Sequence, residues 1–162
     1  DPRLFLINFI FYSLAFLILL AISTYDIKHK IIPDEMSLAL GVISLAGLFL
    51  FCTGGVAIHT PKLTDFLAGV YLFLPFALLS LGSRGAWMGF GDAKLALSLG
   101  WLLGVARGLS GVVLAFWIGT IAGVFLMLGK KKYGLKSEIP FAPFLAIGAF
   151  LAFIFNLNLF PF

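Results

Sequence analysis

LFLINFIFYSLAFLILLAIST, residues 4–24, carries no charged side chain. Its apolar residues form a block, not the two- or four-residue rhythm of a half-buried strand or helix, which argues for a membrane-spanning helix. Five further apolar blocks follow, at Met36–Phe51, Phe66–Leu81, Ala93–Val105, Leu109–Leu128 and Phe141–Phe155. The expected fold class is all-α: a polytopic membrane protein, a six-helix transmembrane bundle forming one domain over residues 1–162 with no soluble appendage. The fourth block is short. Its 13 residues rise only about 20 Å against a hydrocarbon core of about 30 Å, so it starts nearer Met88 or does not cross fully. Pro75 should kink the third.

Composition agrees. The 162 residues are 62% hydrophobic and 11% charged, where a soluble domain carries about 25% charged residues. A formal charge of +4 raises nucleic acid as a partner, but basic loops on the cytoplasmic face of a membrane protein explain it without one. The single cysteine, Cys52, excludes an internal disulfide and argues against a cysteine-based zinc site, leaving the role of small apolar filler. His29 and His59 fall in loops on opposite sides, which argues against a metal pair. The chain begins at Asp1, as expected of a fragment or processed product, and the first apolar run lacks the cleavage site of a signal peptide.

Lysine and arginine orient the bundle. Lys28, Lys30, Arg84, Lys94, Lys130, Lys131, Lys132 and Lys136 fall on one side, and Arg3, Lys62 and Arg107 on the other. The richer side is expected to be cytoplasmic, with both termini outward. Asp26 then ends the first span and Asp92 begins the fourth, both at cytoplasmic helix ends. Ionisable groups beside hydrocarbon are costly and usually functional.

Three stretches carry candidate chemistry. In TYDIKHKIIPDEM, residues 24–36, Asp34 reads as an N-cap with Ser37 three residues on. Asp26 alone would read as an interfacial anchor paired with Lys28 or Lys30. In MGFGDAKL, residues 88–95, Gly89 and Gly91 permit positive φ and close approach of another chain, presenting Asp92 at a helix start. The plainer reading makes Asp92 a helix cap, with Lys94 snorkelling to the interface. In EIPFAPFLAIGAF, residues 138–150, Pro140 and Pro143 mark a helix entrance, with Glu138 as a possible cap. They signal a helix start or a narrow cavity wall near the two aspartates. GKKKYGLKSE, residues 129–138, reads as a solvated basic loop touching anionic lipid.

Taken together, Asp26 with Ile32-Pro33-Asp34, Gly89-x-Gly91-Asp92-x-Lys94-Leu95, and Ile139-Pro140-Phe141-x-Pro143-Phe144-Leu145 resemble the type IV prepilin peptidase family. These are membrane aspartic proteases with a Gly-x-Gly-Asp motif. The resemblance runs from Asp26 to the last span. It implies that Asp26 and Asp92 are the catalytic pair, with Gly89, Gly91, Lys94, Pro33, Asp34, Pro140 and Pro143 supporting them or the substrate. The implied substrate is a type IV prepilin or pseudopilin, cut after a glycine at the cytoplasmic face of the bacterial inner membrane. No cofactor or metal is implied. Bifunctional members carry an N-terminal domain with paired Cys-x-x-Cys motifs, which this sequence lacks, so N-methylation is not expected of it. The absence of a Pro-Ala-Leu motif weighs against a presenilin-like protein.

The residues support the same chemistry without the family. Peptide hydrolysis needs a base to activate water and an acid to protonate the leaving group, and two neighbouring carboxylates sharing a proton supply both. The rival readings are a small transporter that relays protons through intramembrane aspartates and a structural subunit of a secretion machine. The interfacial depth of both aspartates weighs against the first. Tolerance to loss of either aspartate would mark the second.

Overall fold

A computed structural model describes residues 2–52, 55–56, 60–85, 88–129 and 139–159. The expectations for His59, the lysines of 130–136 and Glu138 lie outside the described residues, as does the Cys52 side chain. The elements run α1 Pro2–His29, α2 Asp34–Leu50, β1 Phe51–Cys52, β2 Gly55–Val56, α3 Leu63–Gly82, α4 Phe90–Gly129 and α5 Ala142–Ile154. The two strands are a minimal antiparallel pairing, Phe51 opposite Val56. All other elements are helical.

Five helices are present among the described residues, not six. The fourth and fifth expected spans form one assigned helix, α4, broken at a single residue. Gly104 adopts φ 77, ψ 177, a region open essentially to glycine alone. The chain reverses there. Near the start of α3, the Phe66 carbonyl accepts the Trp101 indole N–H at 3.0 Å and the Phe66 and Trp101 rings pack; further along α3, Phe73 packs on Phe90. The first arm, residues 90–103, is therefore antiparallel to α3. Past Gly104 the order inverts: Gly108 abuts Leu72, and Phe116 packs on Phe76. Thus α4 is a helical hairpin with almost no loop, and its first arm starts at Phe90.

α1 and α3 are each long and apolar enough to cross a membrane, Phe90–Leu126 is so when its two arms are taken as one run, and α5 is apolar but shorter. Their outer surface is greasy. Phe5, Leu17, Leu78 and Phe125 are all more than half exposed, which suits hydrocarbon and not water. Inside, small residues let backbones approach, as expected where lipid removes the hydrophobic drive between helices. A Cβ on Gly100 would lie 2.5 Å from the Ala68 carbonyl oxygen, and one on Gly148 would strike the Gly111 carbonyl. α3 continues through Pro75, whose missing N–H deprives the Tyr71 carbonyl of its usual helical donor.

α5 runs antiparallel to α1. Tyr12 stacks near Phe153, Phe16 near Phe150, and the Ser23 hydroxyl reaches the Ala142 carbonyl at 3.4 Å. It is likewise antiparallel to the second arm of α4, with Gly111 beside Ala149 and Gly119 beside Phe144. These pairings gather the end of α1 and the starts of α2, α4 and α5 at one end of the bundle.

Candidate active site

Asp26 lies in the last turn of α1 and is only 5% exposed. Its Oδ2 accepts the Ala142 N–H at 3.2 Å. That N–H belongs to the first turn of α5, whose donors lack intrahelical partners, so Asp26 caps a helix remote in sequence. It makes no ion pair with Lys28 or Lys30 among the described residues, so the anchor reading fails.

Asp92 is the third residue of α4 and is 6% exposed. Its own N–H returns to the Gly89 carbonyl at 3.2 Å. The Gly89 backbone N–H serves its carboxylate, while Oδ1 is buried without a hydrogen-bond partner among the described residues. Buried polar atoms are rarely left so, and an orphan needs a reason. Asp26 is near enough for its charge to act on Asp92.

Both carboxylates line one open cavity of about 850 Å³. Gly89, Gly91, Asp34, Lys94 and Pro140 line it too, as do Phe116, Gly119 and Thr120 of the second arm of α4. Pro33 and Pro143 do not. The Pro33 carbonyl takes the Ser37 N–H at 3.1 Å, starting α2. Pro143 occupies the first turn of α5, where no N–H is required.

Two local expectations change. Neither Gly89 nor Gly91 has a positive φ. Gly91 is small because the chain ahead of α2 passes close: a Cβ there would sit 2.8 Å from Ile32 Cβ. A Cβ on Gly89 would make only an ordinary contact, 3.7 Å from Asp92 Oδ2. Asp34 does not cap α2. It is already the first helical residue, and the Ser37 hydroxyl donates to its backbone carbonyl at 3.0 Å. Its carboxylate points outward to Lys94, with Nζ and Oδ1 2.6 Å apart. Lys94 also lies 5.8 Å above the Phe90 ring centroid. Sequence reasoning missed this pair and the Ala142 contact, because neither partner is local.

Among the described residues no three His, Cys, Asp or Glu side chains gather as a metal site. What the arrangement offers is two carboxylates from different helices, buried together and open to one chamber. The sequence profile of the type IV leader peptidase family matches residues 13–128, a stretch that includes both.

The chain belongs to the type IV leader peptidase family.

Family relatives extend the match. A prepilin leader peptidase/N-methyltransferase of Aeromonas salmonicida is 31% identical over 143 residues, covering 86% of this chain and 47% of the relative. Its namesake in Pseudomonas aeruginosa is 33% identical over 147 residues, covering 85% and 47%. That of Legionella pneumophila is 31% identical over 153 residues, covering 91% and 50%. The chain thus spans about half the length of the curated relatives it matches. No solved structure matches it significantly. The resemblance to this family drawn from the three motifs therefore holds.

Proposed function

We propose that this chain is a membrane-embedded aspartic endopeptidase that removes the leader of type IV prepilins and pseudopilins, with Asp26 and Asp92 as its catalytic pair. One observation carries the reading: two carboxylates, each at least nine-tenths buried, share one cavity although they come from different helices. Isolated buried carboxylates are expensive, and a pair that lines one chamber, with one oxygen unpartnered, suits the activation of a water.

In the proposed cycle the pair holds one proton between its carboxyl groups. The ionised carboxylate takes a proton from water, whose oxygen bonds to the scissile carbonyl carbon. The protonated carboxyl donates to the leaving amine as the C–N bond breaks, and the pair returns to its starting charge. Asp92 Oδ1 is the free acceptor for the water, while the Ala142 N–H fixes the orientation of Asp26. The cavity lined by Gly89 receives an extended peptide backbone, and the aromatic wall of Phe116, Phe141 and Phe144 suits the apolar helix that follows the cut.

The site is proposed to face the cytoplasm of a bacterial inner membrane, where Lys28, Lys30, Arg84 and Lys94 cluster at the same bundle end. Counting the two arms of α4 separately makes six crossings with both termini outward. N-methylation, the second activity in the relatives' names, is not part of this proposal.

The test is leader removal. Protein in lipid nanodiscs should shorten a purified prepilin by its leader on a gel, and Asp26→Asn or Asp92→Asn should not. Leader removal by Asp26→Asn at the wild-type rate would end the two-aspartate reading. An intact substrate with proton flux across proteoliposomes would point to a transporter instead.

A further inference from the structure

Ser44 lies within α2, fully buried, and its hydroxyl has no hydrogen-bond partner among the described residues. Other buried helical serines behave differently. Ser23, Ser98 and Ser110 return their hydroxyls to the carbonyl four residues back, at 2.7, 3.1 and 2.8 Å, the usual outlet for a hydroxyl inside a helix. Ser44 instead lines a second cavity of about 160 Å³, at the end of the bundle away from Asp26 and Asp92.

The other walls define what can enter. Asp65 lines the cavity with Phe11, Tyr12 and Trp101. Asp65 Oδ2 accepts the Lys62 N–H at 3.1 Å, which holds the carboxylate in place at the start of α3. The Trp101 indole N–H is committed to the Phe66 carbonyl, so Trp101 offers the cavity its ring and no donor. A carboxylate among aromatic rings disfavours an anion and favours a small cation with hydrogens to give. The volume matches roughly five waters at about 30 Å³ each, enough for an ammonium on a short carbon stem.

We propose that this cavity binds a primary ammonium group, carried by an aminophospholipid headgroup or by a free small amine. Its depth fits both sources, because Asp65 starts a membrane-length helix beside the exposed Lys62. The site is separate from the aspartate cavity, so its test needs no peptidase readout.

The experiment uses the whole chain in nanodiscs. From mixed phosphatidylethanolamine and phosphatidylglycerol discs, native mass spectrometry should show the ethanolamine lipid retained preferentially. In phosphatidylglycerol discs, ethanolamine hydrochloride should raise the melting temperature more than sodium chloride of equal ionic strength. Lipid retention without the free-amine shift assigns the site to a headgroup, and the shift without retention assigns it to a free amine. Asp65→Asn keeps an acceptor for the Lys62 N–H and should weaken whichever effect appears by about tenfold, the scale of a lost charged hydrogen bond. Ser44→Ala removes a hydroxyl that has no protein partner, so it should melt as the wild type does without amine yet bind amine more weakly. Neither retention nor shift in the wild type would overturn the proposal. So would effects that persist unchanged in both variants.

Discussion

The Ala142 N–H donates to Asp26 Oδ2 at 3.2 Å across 116 residues of sequence. This bond ties the last turn of α1 to the first turn of α5 and gives Asp26 a structural duty beside its proposed chemical one. Substitutions can separate the two. Asp26→Asn keeps an acceptor oxygen for the amide, so its melting temperature should stay near wild type while leader removal stops. Asp26→Ala should lose the cap as well, costing about 0.5–2 kcal/mol. Asp26→Glu should also be inactive, because displacement of a catalytic group by about 1 Å can cost ~100-fold. On the proposed mechanism the pair acts as one unit, so Asp26→Asn, Asp92→Asn and the double variant should be almost equally inactive. Single-turnover cleavage assays beside thermal melts check all five variants.

The two motif glycines should respond unequally. A methyl group on Gly91 meets Ile32 Cβ at 2.8 Å, a backbone-anchored atom that cannot swing aside. Gly91→Ala should therefore displace the start of α4 together with Asp92, and lower the cleavage rate by roughly 100-fold. Gly89→Ala meets nothing nearer than 3.7 Å and should retain most activity on a short peptide. Equal loss in both would argue against close approach as the reason for Gly91.

The hairpin turn in α4 makes a cleaner backbone test. Nothing lies within 4 Å of a Cβ built on Gly104 or on Gly82, so neither substitution meets a clash. Only Gly104 has a positive φ, of 77°. Gly104→Ala should destabilise the protein by about 1–3 kcal/mol through backbone strain alone. Gly82→Ala, at the end of α3, should be neutral or slightly stabilising. Unfolding in mixed detergent reads the difference.

The Lys94–Asp34 pair should add little to stability despite its 2.6 Å contact, because the Asp34 side chain is 78% exposed. A double-mutant cycle with Lys94→Met and Asp34→Asn should give a coupling of about 0.2–1 kcal/mol that shrinks in high salt. The pair bridges the starts of α2 and α4 at the cavity rim. A coupling well above that range would mean the rim is more desolvated than the exposure of Asp34 indicates.

Much of the molecule was legible in one dimension. Long uncharged blocks identify membrane helices because hydrocarbon tolerates neither charges nor unpaired backbone, and the positions of α1, α2, α3 and α5 follow within a few residues. Asp26 and Asp92 stood out for the same reason: carboxylates are costly beside apolar runs. The hairpin in α4 was only half legible. Two apolar blocks were visible, but the connection expected between Val105 and Leu109 is a single residue, since Gly104 needs no loop to reverse the chain.

The roles of short-range motif residues were the least legible. Asp34 after Pro33 looks like a cap, and only the folded chain brings Lys94 to it from 60 residues away. Gly91 looks like a hinge, and only the nearby Ile32 shows that it is a point of close packing. Apolar composition and charge placement are properties of the chain, so they decide helix and membrane before any contact forms. Which side chains then meet depends on helix packing and on where the chain turns back. That is why the Asp26–Ala142 bond, the Asp34–Lys94 pair and the orphaned Ser44 hydroxyl appear only once the helices are assembled.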